Sequence, residues 1–172
     1  MNMDNVTRRA MAAALVAGAS MAARGAIAAP AILPYADMRR DADAACVYHC
    51  DYGDPGRFSQ TITNLGNHMA SVDYNPLALQ LVLVAHAGGI KFFLDSRAGT
   101  PWEADKLDPD LMQRMRALAG YGVQVYLCAT TFANNNLAHD RAIAAPWVHM
   151  VPSGVATVAS LQGKGFAYMK IG

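Results

Sequence analysis

The chain is poor in charge of either sign. Its 172 residues carry 14 Lys+Arg against 13 Asp+Glu, a formal net charge of +1, and charged residues make up 16%. Such balance leaves no electrostatic case for binding nucleic acid or an anionic membrane surface, both of which need a basic patch. Familiar site motifs are missing too: there is no G-x-G-x-x-G, no P-loop and no H-E-x-x-H. The lack of a C-x-x-C speaks against thioredoxin-type disulfide exchange. No uninterrupted apolar run reaches the roughly 20 residues that span a bilayer. The cysteines number three, so they cannot all pair within the chain and at least one thiol stays free.

The first residues have the layout of an export signal. Adjacent arginines, Arg8 and Arg9, precede the uncharged alanine-rich run 10–23, and Ala26-Ile27-Ala28 fits the A-x-A cleavage pattern. Twin arginines point to the Tat route, with cleavage expected after Ala28 and a periplasmic mature protein. Loss of residues 1–28 leaves 144 residues with 11 basic and 12 acidic groups, enough for one compact domain with a core. Residues 29–44 are polar and proline-punctuated, which predicts a loosely held, flexible lead-in. A single domain over 45–172 follows.

From residue 45 onward strand and helix signals alternate. The expected strands are 45–50, 77–85, 123–127, 147–151 and 166–171; the expected helices are 57–72, 109–120, from 129 to about Ala138, and 155–164. The segment Ile90–Leu94 is too short to assign. No hairpin signal separates the strands, so right-handed crossovers and a mostly parallel sheet between helix layers are predicted, an α/β sandwich.

Ligands of open α/β sheets sit at the carboxyl ends of the strands. The groups there are His49, Cys50 and Asp51, then His86, Cys128 and Ser153. Cys128 is the foremost candidate because the apolar strand 123–127 stops at it and the hydroxyls of Thr130 and Thr131 suit a helix start. A thiol at a helix N-terminus faces unpaired N–H groups and a positive dipole end, both of which favour thiolate. The bland alternative is a small buried hydrophobe. His86 ends the second strand, where it either serves the site or bonds a backbone carbonyl. Gly88 and Gly89 either permit a positive φ or form a backbone nest for an anion. Cys46 and Cys50, four apart on one strand, are separated by about 13 Å and cannot bridge. His49, Cys50, Asp51, His68 and His86 match no metal-ligand spacing, and no cofactor is expected.

Three stretches resemble the DsrE/DsrF-like family, which includes the YchN-type proteins. VLVAHAGGIKFFL (82–94) is similar to its strand, histidine and small-residue segment, and YGVQVYLCATTFANNNL (121–137) to its strand ending in cysteine. PSGVATVASLQGKGFAYMKI (152–171) looks like its closing helix and strand. The resemblance implies a three-layer α/β/α sandwich around a five-stranded parallel sheet, assembled as homo-trimers or homo-hexamers. It also implies sulfur handling, with Cys128 carrying a persulfide between sulfur donor and acceptor proteins or small sulfur anions. His86 would assist Cys128, and Gly88, Gly89 and Thr130 would border an anionic donor such as thiosulfate. A non-catalytic oligomeric binding module using the same strand-end pocket is the alternative.

Overall fold

The protein is described from a computed structural model covering residues 29–171. The expected export signal and cleavage site lie outside these residues, apart from Ala29 itself. Five parallel strands form one sheet: β1 (Ala44–Cys50), β2 (Leu79–Ala85), β3 (Gln124–Cys128), β4 (Val148–Val151) and β5 (Ala167–Met169), in the order β4-β3-β2-β1-β5. The helices are α1 (Pro55–Ala70), α2 (Pro109–Ala119), α3 (Ala129–Asn134) and α4 (Gly154–Gly163). The parallel α/β sandwich is thus the one expected.

Strand order and handedness together place the helices. From β1 to β4 the chain steps in one direction across the sheet; from β4 it returns over the whole sheet to β5, beyond β1. Right-handed crossovers put helices of opposite stepping direction on opposite faces. Accordingly, α1 and α2 cover one face, where Phe58, Ile62, Leu65, Met69, Leu111 and Met115 pack with Cys46, Tyr48, Cys50 and Leu83. On the other face α4 packs Val158 and Leu161 on Val47, Val82, Val84 and Tyr126. The lead-in lies on this second face. Leu33 N–H donates to the Met150 carbonyl at 2.7 Å, Met38 is 1% exposed in the core, and Lys164 Nζ donates to the Met38 carbonyl at 2.7 Å. These contacts were not legible in a polar, proline-rich stretch.

Local chemistry explains the element boundaries. In α1, Asp54 accepts the Arg57 N–H at 2.7 Å and Pro55 occupies the first helical turn, where a missing N–H costs nothing. In α2, Asp108 and Pro109 repeat the arrangement. One expectation needs correction and one open segment is settled. The helix after Cys128 stops at Asn134 rather than near Ala138, because Asn136 takes a positive φ of 53° and Leu137 N–H closes back on the Phe132 carbonyl. Asparagine tolerates that left-handed conformation and so ends helices. Except for its last residue, Leu94, the unassigned segment lies within a 3-10 helix, Ala87–Phe93, that buries Ile90, Phe92 and Phe93. Phe92 stacks on Phe58 with ring centroids 4.0 Å apart.

Candidate functional site at the carboxyl edge of the sheet

Register decides which strand-end groups meet. Cys50 pairs with Ala85, Ala85 with Leu127, and Cys128 with Val151. His86, one residue past the Ala85–Leu127 pair, is therefore level with Cys128 on the neighbouring strand. Side chains alternate faces along a strand. His49 follows the parity of Ala45 and Val47, His86 that of Val82 and Val84, and Cys128 that of Tyr126, all of which lie beneath α4. The sheet thus brings Cys128, His86 and His49 to one edge of one face. Cys50 belongs to the opposite face and is fully buried.

Cys128 caps α3. Its backbone is extended (φ −74°, ψ 110°), and its Sγ accepts the Thr131 N–H at 3.4 Å. Thr131 in turn accepts the Ala87 N–H on Oγ1 at 3.1 Å, tying the cysteine turn to the residue after His86. Thr130 is exposed, and its hydroxyl donates to the Pro152 carbonyl at 2.9 Å, fastening α3 to the loop before α4. Cys128 itself is 4% exposed, so a small ligand reaches the sulfur only through the narrow rim around it or by local opening. Cys46, Cys50 and Cys128 are all free thiols. Burial raises the pKa of Cys46 and pushes that of Cys50 up to about 12, leaving both as inert thiols.

The glycine pair has a packing role. Neither Gly88 nor Gly89 has a positive φ; the left-handed residue is Ala87, at 48°. A Cβ on Gly88 would stand 2.8 Å from the Gly53 nitrogen, and one on Gly89 would stand 2.2 Å from the Cys50 carbonyl oxygen. Gly89 N–H is already used by the His86 carbonyl at 2.9 Å. Both glycines let the 3-10 turn lie against the Cys50–Gly53 loop.

The structure adds a feature that strand-end position alone did not single out. His49 Nε2 lies 2.5 Å from His86 Nε2, and His49 Nδ1 lies 3.1 Å from the Tyr168 hydroxyl on β5. Parity along β1 would have placed His49 on the right face; the pairing itself needed the strand order. Gly154, first residue of α4, is packed on the His86 ring, where a Cβ would come within 2.9 Å of Cβ and Cδ2. Burial first, and the neighbouring His49 next, lower the His86 pKa, while Asp51 opposes them. His68 is elsewhere, on the α1 face, bonded through Nδ1 to the Tyr48 hydroxyl at 3.0 Å. Among the described residues no group of three or more His, Cys, Asp or Glu could hold a metal ion. A cleft of ≈ 280 Å³ lined by Phe92, Arg97, Leu111 and Arg116 opens on the α2 side and includes none of these strand-end groups.

The lowered pKa of His86, and of His149 by burial, carries a stability consequence. The unfolded chain takes up these protons near pH 6.5, before the folded protein does, so folding becomes less favourable as pH falls below about 6.5. The melting temperature should hold steady above that pH and drop between about pH 6.5 and 5. His149→Gln, which can keep a hydrogen bond to Gln124, should flatten part of the drop; an unchanged slope in differential scanning calorimetry would remove His149 from the account.

A three-layer α/β protein with a capping cysteine and a histidine level with it defines the class. The sequence pattern of the DsrE/DsrF-like family matches residues 44–171, and the chain belongs to that family, which is associated with sulfur relay. A solved structure similar to it is a protein of unknown function from Methanobacterium thermoautotrophicum, 25% identical, with a TM-score of 0.58, covering 74% of this chain and 99% of the other. Among proteins with curated descriptions, none matches.

Proposed function

We propose that this protein is an exported sulfur carrier that holds sulfane sulfur on Cys128 as a persulfide. The observation that carries the reading is Cys128 at the end of β3, with its sulfur accepting the Thr131 N–H and its strand position level with His86. In the loading step, the Cys128 thiolate attacks the outer sulfur of a donor persulfide R–S–SH. A Cys128 S–S bond forms, the donor S–S bond breaks, and R–S⁻ leaves. With thiosulfate the leaving group is sulfite. Neither exchange needs an external oxidant or reductant. The sequence layout of residues 1–28 supports the periplasm, reached by the Tat route, as the place of action. Family membership supports a homo-trimer or homo-hexamer, and sulfur donor and acceptor proteins or small sulfur anions as partners.

The 4% exposure of Cys128 favours a second reading, an oligomeric binding module that uses this strand end without sulfur chemistry. Alkylation of the folded protein separates the two. On the carrier reading iodoacetamide modifies Cys128 while Cys46 and Cys50 stay protected, as read by peptide mass mapping. Protection of all three thiols until unfolding would favour the binding module.

A further inference from the structure

Three polar side chains from the neighbouring strands β5, β1 and the end of β2 stand in line near the carboxyl edge, and the loading step above uses none of them. Tyr168 on β5 is 42% exposed and its hydroxyl meets Nδ1 of His49 at 3.1 Å; Nε2 of His49 meets Nε2 of His86 at 2.5 Å. Two imidazole nitrogens facing each other that closely must share a proton. With hydrogens on both, the N–H groups collide; with none, two lone pairs repel. Gly154 lies against the Cβ–Cδ2 edge of His86, and no described residue hydrogen-bonds its Nδ1. The backbone beside His86 is tied to the Cys128 turn by the bonds from Ala87 N–H to Thr131 and from Thr131 N–H to the sulfur.

Building on the carrier reading, we infer that His49 and Tyr168 are positioning residues that extend His86 into a proton relay, Cys128–His86–His49–Tyr168. As Cys128 attacks the donor, its thiol proton passes to Nδ1 of His86. The Nε2 proton of His86 passes to Nε2 of His49, and the Nδ1 proton of His49 moves toward Tyr168 and solvent. Reversal delivers one proton to the departing R–S⁻, so the net exchange is Cys–SH plus R–S–SH giving Cys–S–SH plus R–SH. The tautomers this requires, His86 with its proton on Nε2 and His49 with its proton on Nδ1, satisfy both observed contacts. So does the reverse pair, in which Tyr168 donates to His49 and His49 to His86; the relay interconverts the two. The titratable groups around His86 are His49 and Asp51 from β1 and its carboxyl end, with Cys128 level with it on the neighbouring strand β3; α4 contributes Gly154 and no charge. Burial and His49 lower the His86 pKa and so favour the neutral ring, in which the tautomer protonated on Nε2 leaves Nδ1 free to accept.

His49→Gln tests this, because glutamine can accept the His86 N–H but cannot pass a proton on. Loading of Cys128 from glutathione persulfide, followed by peptide mass mapping from about pH 5 to 9, should slow roughly tenfold to a hundredfold near neutrality and lose one ionisation from its pH profile. Tyr168→Phe should slow it less. Imidazole ¹⁵N NMR of the unmodified protein should show His86 titrating below the ordinary histidine value, with its midpoint rising in His49→Gln. A His49→Gln protein that loads at the wild-type rate with the wild-type pH profile would overturn the relay while leaving the carrier reading intact. A wild-type protein whose Cys128 takes up no sulfur would overturn both.

Discussion

Cys128→Ser should abolish uptake of sulfane sulfur and leave the protein folded. The hydroxyl of serine cannot form the S–S bond on which loading depends, and no other thiol can replace it. Cys50 sits on the far face of the sheet, fully buried, with its pKa pushed to about 12, and Cys46 is 7% exposed on that same face. Folding should survive because the substitution keeps the cap. Serine is among the best residues at a helix N-cap, and its oxygen can accept the Thr131 N–H that Sγ accepts at 3.4 Å. The stability change is expected within about 1 kcal/mol, and the far-ultraviolet circular dichroism unchanged. Sulfur loading retained at another cysteine would contradict the assignment directly.

Gly89→Ala has the largest expected effect on stability. Its Cβ would lie 2.2 Å from the Cys50 carbonyl oxygen and 2.9 Å from the Cys50 sulfur. That carbonyl accepts the His86 N–H at 3.0 Å, at the last level of the β1–β2 pairing, so the backbone cannot retreat without breaking the sheet edge that positions His86. Overpacking of this kind costs about 3 kcal/mol or more, a fall in melting temperature of roughly 6 to 12 °C for a chain of this size. Gly163→Ala supplies the control: no atom lies within 4 Å of its Cβ position, in the last turn of α4. There alanine should be neutral or stabilising by about 0.5 kcal/mol through helix propensity and the less flexible unfolded chain. Equal melting temperatures for the two variants would show that the close approach at Gly89 does not exist.

Much of this fold is legible in the chain because its parts announce themselves locally. The spacing of Phe58, Ile62, Leu65 and Met69 gives α1, and all four are buried. The continuous apolar run through Val84 gives a strand covered on both faces, which the position of β2 inside the sheet explains. Cys128 could be placed between a strand and a helix from residue order alone. What local pattern cannot carry is strand order. His86 and Tyr168 are 37 and 119 residues from His49 in the chain, and the three meet only because β1 lies between β2 and β5. The glycine pair misleads for a related reason. A positive φ is the local explanation for such glycines, whereas Gly88 and Gly89 answer to a distant backbone, the Cys50–Gly53 loop. The short α3 shows propensity overruled by a left-handed Asn136.

The most direct test of the central claim is intact-mass spectrometry of the wild-type protein after incubation with glutathione persulfide, polysulfide or thiosulfate, with the adduct mapped by peptide. The carrier reading predicts a gain of about 32 Da, one sulfur atom, on Cys128 alone, reversed by a thiol reductant. An absence of any adduct, in protein whose Cys128 also resists alkylation until it is unfolded, would contradict it.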